Sequence, residues 1–312
     1  MQGVPTEPSA CPVCGPSAKA TLSFNATDRL HGIAGTFSYY RCSDCGLLYQ
    51  NPRVRPDSSM DVYPKDYMGH IPLAAPTGIR RLGRLTTRWL RGATLPRHIV
   101  ATLGPASRVL DVGCGAGEFL NEVRTRFGCR VEGLDLSEGS KQAASATFGI
   151  DVFCGPLDAA PWAPASFDLI TAWWSLEHMA DPEPALARMC TLLAPGGHML
   201  IAIPNSQSLV ARVFGSRWYH LDCPRHYHLW TPRSIRQLLE RQGLTYRSTR
   251  FDKSPWGLLG SLQYAIYGDN IRAEVANRLR GNTKLAPAFL PLTFALGMLG
   301  YSDMMAVTAT KP

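Results

Sequence analysis

Three groups of side chains in this 312-residue chain carry chemistry by type and spacing. The first is Cys11-x-x-Cys14 with Cys42-x-x-Cys45, each pair followed by glycine and the pairs separated by twenty-seven residues. Two such turns present four thiolates to one tetrahedral ion, which reads as a zinc ribbon rather than as disulfides. A shell closed by four sulfurs leaves no position for a catalytic water, so the zinc is expected to be structural and to fold a stretch with little apolar core of its own. The second group is Asp111-Val112-Gly113-Cys114-Gly115-Ala116-Gly117, with Asp135 eighteen residues after Gly117. The glycines let the backbone bend and approach a ligand, and a carboxylate ending the next strand is placed to grip two ribose hydroxyls. The third is a set of histidines: of eight in the chain, His178, His220, His226 and His228 fall after two apolar runs, three of them within nine residues. An imidazole titrating near neutrality suits removal of a proton from an acceptor.

The elements needed to position these groups are legible around them. Val109 to Val112 and Val131 to Asp135 read as buried parallel strands, and the glycine triplet as the turn from the first strand into a helix. A dinucleotide fingerprint would need a third glycine where Glu118 stands, and its carboxylate would repel phosphate; nor is there a Gly-Lys-Ser/Thr phosphate loop. Further on, Val152-Phe153, Phe167 to Trp173, a helix from about Pro184 to Leu193, and His198 to Pro204 continue a strand and helix alternation. Thr245 to Phe251 and Met304 to Ala309 read as two later strands.

The phrases Asp-x-Gly-x-Gly-x-Gly with the later acid, Ser166-Phe167-Asp168, Leu176-Glu177-His178-Met179-Ala180-Asp181-Pro182 and Leu192-Leu193-Ala194-Pro195-Gly196-Gly197 together resemble class I S-adenosylmethionine (SAM) dependent methyltransferases. They cover about a third of the chain. The resemblance implies an α/β, Rossmann-like fold with a mostly parallel seven-stranded sheet and an antiparallel last strand. It implies that Asp111, Gly113, Gly115 and Gly117 form the loop supporting the methionine part of SAM. Asp135 would hold the ribose, the Leu157 region would lie beside the adenine, Leu136 would be among the cofactor-binding residues, and the backbone of Trp173 would lie near the amino group. One departure is Pro156, where many members carry an acid for the adenine amine; Asp158 is the nearest carboxylate.

In open α/β sheets ligands lie beyond the carboxyl ends of the strands, so the segment after the fifth core strand should face the acceptor. Pro224-Arg225-His226-Tyr227-His228-Leu229-Trp230-Thr231-Pro232 resembles that segment in bacterial methyltransferases of glycan and secondary-metabolite pathways. Cys42-x-x-Cys45-Gly46-Leu47-Leu48-Tyr49 resembles their zinc-bearing N-termini, including those of nucleotide-sugar C-methyltransferases. That likeness makes His226 the first choice of general base and His228 the second. Glu177 and His178 read as residues set against the cofactor or the core. Trp173, Trp174, Trp218, Tyr219 and Trp230 are available to wall an acceptor pocket, and Tyr63 and Tyr67 to cover it.

The resulting organisation is a zinc-ribbon module at 1–60, a basic helical linker at 61–104, and a SAM-binding core at 105–312 with helical insertions at about 206–230 and 256–299. The formal charge of +8 is not spread over the ribbon, where five basic side chains face four acids. It gathers in Arg80, Arg81, Arg84, Arg88, Arg91 and Arg97, a stretch without an acid whose Leu82, Leu85 and Trp89 fall on one helical face. Such a helix packs through its leucines or meets an anionic substrate, a carrier domain or a membrane surface. Leu285 to Leu299 is broken by Pro287 and Pro291 and is shorter than the ~20 residues a bilayer needs, and Met1 to Ala10 does not resemble a secretion signal, so a cytoplasmic protein is expected. The sequence thus points to transfer of a methyl group from SAM to an oxygen or carbon of a small or carrier-linked acceptor, such as a sugar, a glycan or a secondary-metabolite intermediate. An RNA methyltransferase is the first alternative, disfavoured by the neutral ribbon and the lack of an Asn-Pro-Pro-Tyr type motif, so nucleic acid is not the expected partner. A non-catalytic module interacting through the ribbon is the second.

Overall fold

A computed structural model describes residues 4–63, 94–268 and 285–312. The arginines at 80–91 and Tyr67, singled out above, lie outside the described residues.

The central sheet has seven strands, in the order β8-β7-β6-β9-β10-β13-β12. These are β6 (Arg108–Val112), β7 (Arg130–Asp135), β8 (Val152–Cys154), β9 (Phe167–Trp173), β10 (Leu193–Pro204), β12 (Thr245–Phe251) and β13 (Met304–Thr310). The first five run parallel, and β13 runs antiparallel to both of its neighbours, as the expected fold requires. Strands buried on both faces read as continuous apolar runs, and helices cover those faces. They are α1 (Arg97–Val100), α2 (Glu118–Phe127), α3 (Glu138–Phe148), α4 (Pro182–Leu192), α5 (Leu209–Phe214), α6 (Pro232–Arg241), α7 (Trp256–Tyr267) and α8 (Ala286–Leu299). α4 begins at Pro182, two residues before the expected Pro184, because proline is preorganised for the first helical turn. β10 starts earlier than expected, its Leu193 pairing with Phe167 ahead of an irregularity that resolves at His198.

A second sheet is built by the N-terminal module and one piece of the core. β2 (Ala20–Ala26), β3 (Phe37–Cys42) and β4 (Leu48–Gln50) form an antiparallel meander, and the two-residue β11 (His228–Leu229) adds to its edge, His228 opposite Tyr49 and Leu229 opposite Leu48. A separate pair, β1 (Thr6–Glu7) with β5 (Arg53–Val54), closes the chain leaving the meander. The module's buried Val13, Leu47 and Tyr49 share one hydrophobic cluster with Ile235, Leu238 and Leu239 of α6. α6 is capped by Thr231, whose side chain accepts the Ser234 N–H and also donates to the Cys45 carbonyl at 3.1 Å. The segment leading into α6 is therefore fastened to the cysteine module by backbone, cap and core together.

Residues 206–230 hold the short helix α5, two 3-10 turns at Gly215–Arg217 and Tyr219–Leu221, and then the extended β11. Pro224 lacks an N–H, and neighbouring backbone groups bond outside the segment: Tyr227 accepts from the Gln50 N–H and donates to the Glu177 carbonyl. Of the later insertion, the described residues form α7 and α8. Among the described residues no helix is long and apolar enough to cross a membrane.

Candidate active site

The sheet order reverses between β6 and β9, and the glycine loop sits there. Gly113 has φ +78°, and a Cβ on it would meet the Ser175 Cβ at 2.5 Å, so this position takes only glycine. Ser175 in turn donates to the Val112 carbonyl at 2.7 Å, and the buried Asp111 accepts from Thr171 at 2.7 Å, which locks the ends of β6 and β9 together. Asp135 ends β7 as expected. One of its oxygens accepts the Gly115 N–H and the other the Ser137 N–H, both at 2.9 Å, so the carboxylate is oriented by backbone and keeps lone-pair sites for a diol. Beside it, the Leu136 side chain is 59% exposed, an apolar surface suited to a flat ring. Leu157 is half-buried in the turn after β8, whose Gly155 N–H donates to the Asp135 carbonyl. Glu118 Oε1 and Trp173 Nε1 are buried without a hydrogen-bond partner, an acceptor and a donor left for a ligand of mixed character. The cradle thus fits a ribose-bearing cation with no phosphate, which is what SAM is.

Opposite this loop, beyond β9, three side chains converge. Glu177, His178 and His226 each bring one atom to within 4.8 Å of the other two, close enough to hold one small bound group between them. The rings of His178 and His226 stand edge to face, 4.5 Å apart. His226 Nδ1 lies 2.9 Å from the His220 carbonyl, which can only accept, so Nδ1 carries the hydrogen and Nε2 keeps its lone pair. Burial lowers the pKa of His226, partly opposed by Asp222, whose Oδ2 stands 3.8 Å from Nε2; the ring is neutral at pH 7. Burial likewise pushes His178 down to about 3, and its Nδ1 meets the Tyr63 hydroxyl at 2.8 Å. Because burial holds Tyr63 protonated, that hydroxyl donates.

Glu177 is fully buried, both oxygens lack a hydrogen-bond partner, and burial pushes its carboxyl up to about 8. A carboxyl that keeps its proton in the fold up to about 8 but loses it at about 4.5 when unfolded stabilises the fold fully below 4.5, and the contribution falls as pH rises toward 8. Glu177→Gln is therefore expected to gain on the wild type across pH 4.5–8 in denaturant midpoints. A difference that does not vary with pH would show that Glu177 is ionised in the fold.

The structure does not bring His228 into this cluster. Its backbone pairs with Tyr49 in the second sheet, its ring is buried, and Nδ1 has no partner. The aromatic wall is also smaller than the sequence allowed: Trp218 and Trp230 are core residues, and Trp173 packs on Phe119. Trp174 is exposed, and Tyr219 stacks on Tyr264 with ring centres 5.7 Å apart.

Sequence reasoning missed the charged side chains packed around His226. Arg225 is bidentate to Asp28 of the module, at 2.8 and 3.0 Å, and reaches Asp222 through Nε at 3.0 Å and a terminal nitrogen at 2.7 Å. Burial works against both Asp222 and Arg225 as ions; their attraction overrides it, holding the Asp222 carboxyl below and the Arg225 guanidinium above their ordinary values.

The four cysteines are free thiols gathered with their sulfurs within 4.8 Å of one another, Cys11 and Cys45 at 3.6 Å. A tetrahedral ion with ~2.3 Å zinc–sulfur bonds would set sulfurs ~3.8 Å apart, so the donor set fits zinc. Cys114, Cys129, Cys190 and Cys223 are buried elsewhere and Cys154 is half-buried.

A seven-stranded sheet of this order, with its glycine loop at the switch point and an acid ending the second core strand, defines the class I methyltransferase fold. The chain belongs to the methyltransferase-domain family, whose model matches residues 81–249. It is similar to the ubiquinone biosynthesis O-methyltransferases of Ralstonia nicotianae, 35% identical over 129 residues that cover 39% of this chain and 54% of that one, and of Parvibaculum lavamentivorans, 37% identical over 131 residues, 39% and 51%. The chain thus spans about half the length of these relatives. In fold it is similar to a sarcosine dimethylglycine methyltransferase structure from Galdieria sulphuraria, at TM-score 0.51 and 17% identity over 75% of this chain and 88% of that one.

Proposed function

We propose that the protein transfers the methyl group of SAM to a hydroxyl oxygen of a small or carrier-linked acceptor, with His226 as general base. The observation that carries this reading is the neutral His226 ring, fixed through Nδ1, with Nε2 3.8 Å from the Asp222 carboxylate and the ring beside Glu177 and His178. When bound, SAM supplies an electrophilic methyl on a sulfonium. The chain's own residues do the rest. Asp135, Leu136 and Leu157 orient the nucleoside, and the loop at Gly113–Gly117 admits the amino-acid part against the backbone. His226 Nε2 takes the acceptor proton, and Asp222 steadies the imidazolium that results. Glu177, protonated and without a partner, offers a hydrogen bond to the acceptor, and the burial of Glu177 and His226 limits the access of water. Relatives named for O-methylation support oxygen over carbon; a sugar, glycan or secondary-metabolite hydroxyl remains the acceptor class the sequence favours.

We also infer that Cys11, Cys14, Cys42 and Cys45 hold one structural zinc, on the strength of four converging thiols. The reading is tested by incubating the metal-replete protein with trideuteromethyl SAM and a panel of catechols, phenols and nucleotide sugars, and locating the label by mass spectrometry. Label on oxygen is the expected result; label on carbon, or none while S-adenosylhomocysteine still binds, would overturn it.

A further inference from the structure

The base of this site is not held by the methyltransferase core alone. The segment 222–228 that carries His226 is bonded along its length to the N-terminal module. The Tyr39 hydroxyl donates to the His226 carbonyl at 3.2 Å, the Gln50 side chain to the Pro224 carbonyl at 3.3 Å, and the Gln50 N–H to the Tyr227 carbonyl at 3.0 Å. At its turn, Asp222 adopts φ +35°, the left-handed conformation, which among residues with a Cβ is best tolerated by aspartate and asparagine.

We propose that Asp28, from the cysteine-bearing module, is a positioning residue for the base, acting through Arg225 on Asp222 and the turn that carries His226. Asp28 is itself rigid. Its carboxylate accepts the N–H groups of Leu30, His31 and Ile33 at 3.0, 3.0 and 3.2 Å, which aims both oxygens at the guanidinium. The Asp28–Arg225 pair is side chain to side chain at zero exposure, so no water screens it. Arg225 then spends its remaining donors on Asp222 and on the Val62 and Cys223 carbonyls, which fixes where the Asp222 carboxylate stands relative to His226 Nε2. In formal charge the trio Asp28, Arg225 and Asp222 is −1. A proton arriving on His226 meets a buried anion, and without Asp28 it would meet a neutral pair. The other groups facing His226 are Glu177 and His178, with Tyr63 behind His178.

This inference rests on His226 being the base, and the test separates the two. Asp28→Asn, Tyr39→Phe and His226→Ala are compared in the zinc-loaded full chain, using S-adenosylhomocysteine titration to count binding-competent sites and steady-state rates to give kcat and KM per competent site. Asp28→Asn is expected to lower kcat at least tenfold, and Tyr39→Phe a few-fold, with S-adenosylhomocysteine affinity and KM for SAM held within twofold. A purely structural ion pair would lower the unfolding midpoint and the number of competent sites but leave kcat per site unchanged, and that result overturns the proposal. Should His226→Ala keep full kcat, the base assignment fails first, whatever Asp28→Asn does. Tyr39→Phe, which deletes one hydroxyl and no charge, keeps the proposal testable if Asp28→Asn does not fold: unchanged kcat there also overturns it.

Discussion

Replacing His226 with alanine is expected to lower kcat by about 10²–10⁴-fold, the usual worth of a positioned general base, while S-adenosylhomocysteine affinity stays within about twofold of wild type, well under the ~1.4 kcal/mol of a tenfold change. The asymmetry follows from geometry. His226 lies beyond β9 among Glu177 and His178, whereas the cofactor cradle is built by β6, β7 and their loops, so the substitution removes the proposed proton acceptor without touching Asp135 or the glycine turn. Rapid-quench measurement of a single turnover, beside calorimetric titration, distinguishes this from slower product release. A variant with normal turnover would assign the proton to another group, and a variant that no longer binds the cofactor would show that His226 props the cradle. His228→Ala is expected to act on stability instead, because that ring sits in the second sheet away from the cluster.

Arg225→Met is expected to have the largest effect on stability, about 3–5 kcal/mol, the cost of breaking a buried ion pair from one side. Methionine replaces the stem and leaves the Asp28 and Asp222 carboxylates with no cation in a place where neither reaches much water. In a domain of this size that corresponds to a fall in Tm on the order of 10 °C. Neutralising the acids at the same time, in Asp28→Asn/Asp222→Asn/Arg225→Met, should recover most of the loss, since the penalty comes from unpaired charge rather than from volume. A single variant melting within a degree or two of wild type would mean that water enters between module and core and that the two are not packed there as described.

The parts of the molecule legible in the sequence were those written in local pattern. Val109 to Gly117 gives a strand, a turn and a helix start within a dozen residues, and Asp135 ends the next apolar run, so loop and acid could be placed without a structure. The paired cysteines were equally local, each knuckle contained in five residues. The setting of His226 was not. Asp28 and Arg225 are 197 positions apart, and their pairing depends on β11, a two-residue strand too short to leave a period, adding to a sheet made by the N-terminal module. Nothing in the local sequence around Glu177 signals that both its oxygens are buried without partners, since that is set by the return of residues 220–228 over the end of β9. Nor could Trp218 and Trp230 be told apart from wall residues by type alone; their burial comes from packing under α5, α6 and the module.

SAM binding in the Gly113–Asp135 cradle is read out by calorimetric titration with S-adenosylhomocysteine, run on the metal-replete wild type and on Asp135→Ala. Micromolar, one-to-one binding is expected, weakened about tenfold or more in the variant, roughly 1.4 kcal/mol for the lost hydrogen bonds to the ribose. No heat of binding from the folded, metal-replete wild type, or equal affinity in the two proteins, would contradict it.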